Sequence, residues 1–281
     1  TETVVMKKDL INKLKELFPG KFDFLSENDF HMMSGHRFPD DEITWYDLSF
    51  HKEMGGKQIH GSVGFAGEDL EIQHFYYQPV ITSDALFPPQ VTKKEEEKIA
   101  AEFLNQFSEN GNYQLDSVNN FYPGNQTLVE PIRYGFSFVR TENDVPVTDQ
   151  SVHISVLGNG EIVEFNRPMD VLGKPSFDDA SKTLAEEEVL EKIKANLAVD
   201  LQYQVDYDMH TGEPYVQLVY QPMNEGLGVH AISGEWQTAS GFSADLPSKK
   251  EVQLLTDEPL DPRSTDFSVE EAKAVANELL A

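Results

Sequence analysis

Five of the eight histidines, His31, His36, His51, His60 and His74, fall within the first 90 residues of this 281-residue chain. Imidazoles brought together on neighbouring strands are what a zinc ion uses, provided at least three ligands converge. His51 and His60 flank Met54-Gly-Gly-Lys57, a natural turn, and His74 lies on the stretch that follows. A cross-strand pair is therefore available, but ordinary surface or half-buried imidazoles account for the pattern more simply, and no metal ligand is assigned. Asp206-Tyr-Asp208-Met-His-Thr-Gly212 opens like a calcium loop, in which alternating carboxylates supply oxygens to a hard cation. Gly212 comes one place late and no glutamate closes the loop, so a hairpin turn is expected.

Catalytic signatures are weak. Gly241-Phe-Ser243-Ala-Asp245 starts as a nucleophile elbow but has Asp245 where a second glycine must permit the strand-to-helix turn. Gly226-Leu-Gly228-Val-His-Ala231 fits a loose dinucleotide fingerprint, yet a strand is expected over 229–236, leaving no helix N-terminus for a pyrophosphate. Neither a His-Glu-x-x-His helix nor a Gly-x-x-x-x-Gly-Lys loop is present. With 49 acidic residues, no carboxylate pair stands out as an acid and base. No catalytic residue, cofactor or metal ligand is accordingly expected. The remaining chemistry is aromatic: Tyr203, Tyr207, Tyr215 and Tyr220 sit at strand positions, where alternate residues face opposite sides of a sheet. On an outer side they would form a binding face for a peptide or glycan; on an inner side they would be core.

The elements that must position these residues announce themselves by capping boxes. Thr92-Lys-Lys-Glu95, Thr183-Leu-Ala-Glu186 and Ser268-Val-Glu-Glu271 recur 91 and then 85 residues apart. In such a box the hydroxyl accepts from the N3 amide while the N3 carboxylate accepts from the cap's own amide. Helices are expected at 4–18, 92–107, 183–197 and 268–280, the first two ending in Phe18 and Phe107 on their apolar stripes. Strands are expected at 44–50, 59–65, 70–77, 133–140, 151–157, 161–165, 201–207 and 215–220, with turns at 54–57, 66–69, 158–160 and 209–213 and a Pro-marked linker from Pro79 to Pro89 before the second helix. Val63-Gly-Phe-Ala-Gly67 through Phe75 parallels Ile154-Ser-Val-Leu-Gly158 through Phe165, as two copies of one unit would. The organisation read from this is three units, 1–89, 90–175, and 176–281 with a terminal helix. The last helix belongs either to a longer array, the favoured reading, or to a cap.

Charge limits the partners. Twenty-two Lys and Arg against 49 Asp and Glu give a net charge of −27, whose field disfavours phosphate and anionic lipid. Nucleic acid and membrane insertion are not expected. The absence of cysteine removes disulfides and thiolate chemistry.

Tyr134-Gly-Phe-Ser-Phe-Val-Arg140, Asn143-Asp-Val-Pro-Val147 and Val152-His-Ile-Ser-Val156 before Gly158-Asn-Gly-Glu-Ile162 follow the second capped helix. This order resembles the YcdB/YcdC repeat, a PepSY-like module akin to peptidase propeptide domains, over roughly residues 92 to 281, with 1–88 a diverged copy. The resemblance implies an α+β fold of tandem PepSY-like units, each an amphipathic helix on a small antiparallel sheet. It further implies a non-catalytic binding or regulatory module, secreted or on the cell surface of a Gram-positive bacterium. A protein or cell-wall component is the implied partner, with protease inhibition one implied role. The peptidase domain that propeptide relatives accompany is lacking. A hydrolase with an unrecognised acidic site is the alternative.

Overall fold

A computed structural model describes residues 4–36, 42–106, 112–117, 128–168, 176–223, 228–246 and 268–279. The chain divides into two compact units, 1–178 and 179–281. The expected helix end at Phe107, the dinucleotide-like Gly226 and Leu280 lie outside the described residues.

In the first unit, α1 (Lys7–Leu17) precedes β1 (Phe30–Gly35), β2 (Trp45–Met54), β3 (Lys57–Ala66) and β4 (Glu71–Gln78). Then α2 (Lys93–Asn105) precedes β5 (Asn112–Leu115), β6 (Arg133–Glu142), β7 (Val145–Leu157) and β8 (Ile162–Asn166). All eight strands form one sheet in the order β1-β2-β3-β4-β8-β7-β6-β5. Each half is a helix followed by a four-strand meander, and the halves join antiparallel through their last strands. At that joint Phe75 lies opposite Phe165, the residues the sequence comparison had placed in corresponding positions.

Hairpin geometry follows from the turns. Gly55 and Gly56 take φ of 58° and 75°, and Asn143 and Asp144 take 50° and 62°, so both long hairpins turn on two left-handed residues. Such turns match the right-handed twist of the flanking strands. The Thr92 box is formed: Glu95 N donates to Thr92 Oγ1 at 3.3 Å and Thr92 N donates to Glu95 Oε2 at 2.7 Å. At α1 an unforeseen equivalent appears, with Met6 N donating to Asp9 Oδ2 at 2.8 Å.

The period-2 alternation of the strands separates two faces across the whole sheet. One transverse row reads Met32, Leu48, Val63, Phe75, Phe165, Ile154 and Phe136. The neighbouring row, one residue along, reads Met33, Asp47, Gly64, His74, Asn166, His153 and Ser137 and faces the other way. Both helices pack on the apolar face. Phe18, just past α1, stacks on Phe75 at 4.3 Å and on Phe103 of α2 at 5.1 Å, and Phe103 meets Phe165 edge-on at 5.7 Å. The two halves thus share one core.

Lys21 ties the halves together. Its ammonium lies 5.0 Å from the Tyr77 ring centroid and 5.2 Å from that of Phe18, bonds the Ile162 carbonyl, and pairs with Glu161 at 3.5 Å. Burial pulls its pKa down to about 8, the Glu161 carboxylate opposing the shift. Truncation of Lys21 to Ala is expected to cost about 2–3 kcal/mol, because stem packing and a charged hydrogen bond go together. Lys21→Met, which keeps the stem and removes the buried charge, should cost less than half as much in urea unfolding. Equal losses in the two variants would refute a role for the stem.

In the second unit, α3 (Glu186–Ala195) is followed by the hairpin β9 (Ala198–Tyr207) and β10 (Pro214–Met223). A three-stranded sheet of β11 (Gly228–Val229), β12 (Trp236–Thr238) and β13 (Gly241–Ser243) comes next, and α4 (Val269–Leu279) ends the described chain. The Ser268 box forms, with bonds of 2.8 and 3.2 Å. The Thr183 box does not. Leu184 N donates to Ala231 O at 2.7 Å and Ala185 is extended, so the helix starts two residues late, at Glu186. The single strand expected over 229–236 is two short strands around a turn closed by Gly234 N donating to His230 O.

The mixture of helix and antiparallel sheet agrees with the α+β expectation, with strands dominating. Instead of one small sheet per helix, the first unit has two helices on one shared sheet. None of the helices among the described residues is long and apolar enough to cross a membrane.

Candidate functional site

The hairpin β9–β10 sorts its side chains by register. On one face the cross-strand rows are Val199–Pro222, Leu201–Tyr220, Tyr203–Leu218, Val205–Val216 and Tyr207–Pro214. On the other they include Asp200–Gln221, Gln202–Val219, Gln204–Gln217 and Asp206–Tyr215. The first face is apolar throughout and the second carries the charges and amides. Strands built this way normally bury the apolar face. Here it is open: Tyr203 is 76% exposed, Tyr220 70%, Tyr207 66% and Leu218 54%.

Lys192 of α3 sits 5.1 Å from the Trp236 ring centroid and bonds the Gly234 carbonyl. Trp236, on β12, is the buried aromatic among the described residues of this unit. Lys192 thus ties α3 to the turn before β12, while the helix's expected stripe of Leu190, Ile193 and Leu197 is exposed.

Of the four tyrosines proposed from sequence as a binding face, Tyr203, Tyr207 and Tyr220 share the apolar face. Tyr215 does not; its register partner is Asp206, on the polar face. Tyr215 and Tyr220 lie five residues apart on the same strand, so they face opposite ways, and the register with β9 decides that Tyr220 is the one beside Tyr203 and Tyr207. Asp208 Oδ1 accepts from the amides of His210 and Thr211, each at 2.8 Å, and Gly212 takes φ of 71°. These bonds, the Thr211 amide first, hold the Asp208 carboxyl below its ordinary range. A hairpin turn, not a cation loop, occupies Asp208–Gly212.

Four of the clustered histidines lie on the polar face of the large sheet, and His36 lies beyond β1. His51 stands directly opposite His60. His74 pairs with Asp47 at 3.5 Å, its ring lying where a side chain on Gly64 would clash at 2.2 Å. Among the described residues no three such ligands converge on one point.

His153, not singled out from sequence, bonds Ser137 Oγ through Nδ1 at 2.7 Å, beside a depression of about 420 Å³ that also touches Arg133, Ser155 and Glu164. A nucleophile must reach its substrate. Ser137 is 2% exposed, so the pair braces β6 against β7. The elbow-like Gly241-Phe-Ser243 is strand β13.

One carboxylate has the elevated pKa expected of a general acid. Glu96 is fully buried on the sheet side of α2, both oxygens lack hydrogen bonds, and burial pushes it up to about 8. It occupies the fourth position of α2, where α1 has the equally buried Leu10. Sealed in the core, it is out of reach of a substrate.

Residues 81–169 match the family described as the YcdB, YcdC repeated domain. The match spans the second helix and its four strands, starting earlier than expected from sequence and ending before α3. No curated protein matches the chain. Among solved structures, the Bacillus megaterium YpeB C-terminal domain aligns with a TM-score of 0.49 and 11% identity, over 85% of this chain and 98% of that one.

Proposed function

We propose, with residues 81–169 as a YcdB/YcdC repeat, that this chain is a non-catalytic binding module whose contact surface is the apolar face of β9–β10. On this reading the first unit is a pair of PepSY-like copies that serves as scaffold. The partner is a polypeptide or cell-wall component met outside the cytoplasm, as the likeness to the repeat family implies.

The observation that carries the reading is the open hairpin. Ten apolar side chains in register form one continuous strip, and large contiguous exposed apolar patches mark interaction sites. Aromatic residues at its centre suit a contact surface, since they bring area at little entropic cost. The test is pull-down with the purified chain against extracytoplasmic peptidases and peptidoglycan, alongside Tyr203→Asp. With the chain dilute enough to be monomeric, a partner retained by the natural chain and lost by the variant is the expected result. Retention by both places contact elsewhere and overturns this assignment.

A further inference from the structure

We infer that the partner of this face is the same face of a second copy of the chain, the two hairpins packing about a two-fold axis parallel to their strands. The inference rests on the reading above that the strip is a contact surface.

The first argument is size. Ten side chains, mostly more than half exposed, offer an area on the order of 700 Å² per copy, near the roughly 800 Å² per partner of stable interfaces. The second is charge. At −27 the chains repel, yet the strip carries no ionisable group except the phenols, and Asp200 and Asp206 point from the opposite face. Apolar burial is therefore not opposed by desolvated charge at the contact.

The third argument is self-complementarity. None of the five rows holds more than one tyrosine, and each tyrosine has a smaller neighbour: Leu201 beside Tyr220, Leu218 beside Tyr203, Pro214 beside Tyr207. A two-fold axis along the strands lays β9 of one copy over β10 of the other at the same level. Every tyrosine then faces the leucine or proline of its own row, ring over hollow. The large residues interleave, as facing sheets do when they pack about 10 Å apart. A helix laid on the strip would not meet this alternation in register.

Sedimentation velocity of the intact chain from about 1 to 100 µM tests the proposal, a span covering ordinary homodimer affinities. A dimer is expected that strengthens with added salt as repulsion is screened. Tyr203→Asp and Leu218→Asp should each give monomer, whereas Tyr215→Ser, on the polar face, should leave the dimer intact. A natural chain that stays monomeric throughout, or a dimer that survives both Asp substitutions, overturns the proposal. In the monomeric case bis-ANS separates the two readings. Dye binding lost in Tyr203→Asp keeps the face as a free contact surface for another partner, and unchanged dye binding removes that reading too.

Discussion

Replacing Glu96 by Leu is expected to stabilise the first unit by about 2–4 kcal/mol near pH 8 and by much less near pH 5. The carboxyl has no hydrogen-bond partner and sits at 0% exposure where the first copy has Leu10. Its pKa rises from 4.5 to about 8 because burial penalises the anion. Below pH 4.5 both folded and unfolded chains hold the proton, and only the unmade hydrogen bonds count against folding. Between pH 4.5 and 8 the unfolded chain gives up its proton while the folded chain keeps it, so stability falls as pH rises. Above 8 both are ionised and the penalty levels off.

Urea unfolding of natural chain and Glu96→Leu from pH 5 to 9 checks this as a difference, in which other titrations cancel. Glu96→Gln should abolish the pH dependence while keeping part of the constant cost, since an amide still lacks partners. Parallel pH profiles for natural chain and Leu variant would sink the assignment.

Phe75→Ala is expected to cost about 3–5 kcal/mol, and both halves of the first unit should fail together. Phe75 is 1% exposed, stacks on Phe18 and meets Phe165 across the β4–β8 joint. Its ring is part of the core of each copy, so a cavity there is felt on both sides. Hydrogen exchange should show amides of β3 and β7 losing protection in one step. Protection that persists in β7 after loss in β3 would mean that the copies fold independently.

How much of this was legible in sequence differs by element. Helices α1 and α2 and the Gly55-Gly56 turn were readable, because caps, stripes and glycines act within a few residues, whereas the turn at Asn143-Asp144 was not read. Strands β1 and β5 were not. β1 hides among Met32, Met33 and Ser34 without a clear alternation, and β5 has four residues, so each owes its existence to the longer strand beside it.

The fusion of two sheets was also invisible. Pairing of Phe75 with Phe165 joins residues far apart in the chain, and periodicity reports a strand's faces but not its neighbour. The failed cap at Thr183 has the same origin: a distant carbonyl at Ala231 competes for the backbone just where the helix would begin. Strand alternation is local, and it already sets Tyr215 and Tyr220, five residues apart on β10, on opposite faces; which of them joins Tyr203 and Tyr207 depends on the pairing register, which is not local. Glu96 could have been noticed as a charged residue at a position where the first helix carries leucine.

The antiparallel joint between β4 and β8 has a further consequence for how such repeats multiply. Because each copy contributes the same strand to the joint, forming it uses up the equivalent edge of both copies at once. A third copy finds only the outer edges, β1 and β5, which are different strands from those in the joint. In this sheet the joint therefore pairs like with like, and any strand added to it would have to meet β1 or β5.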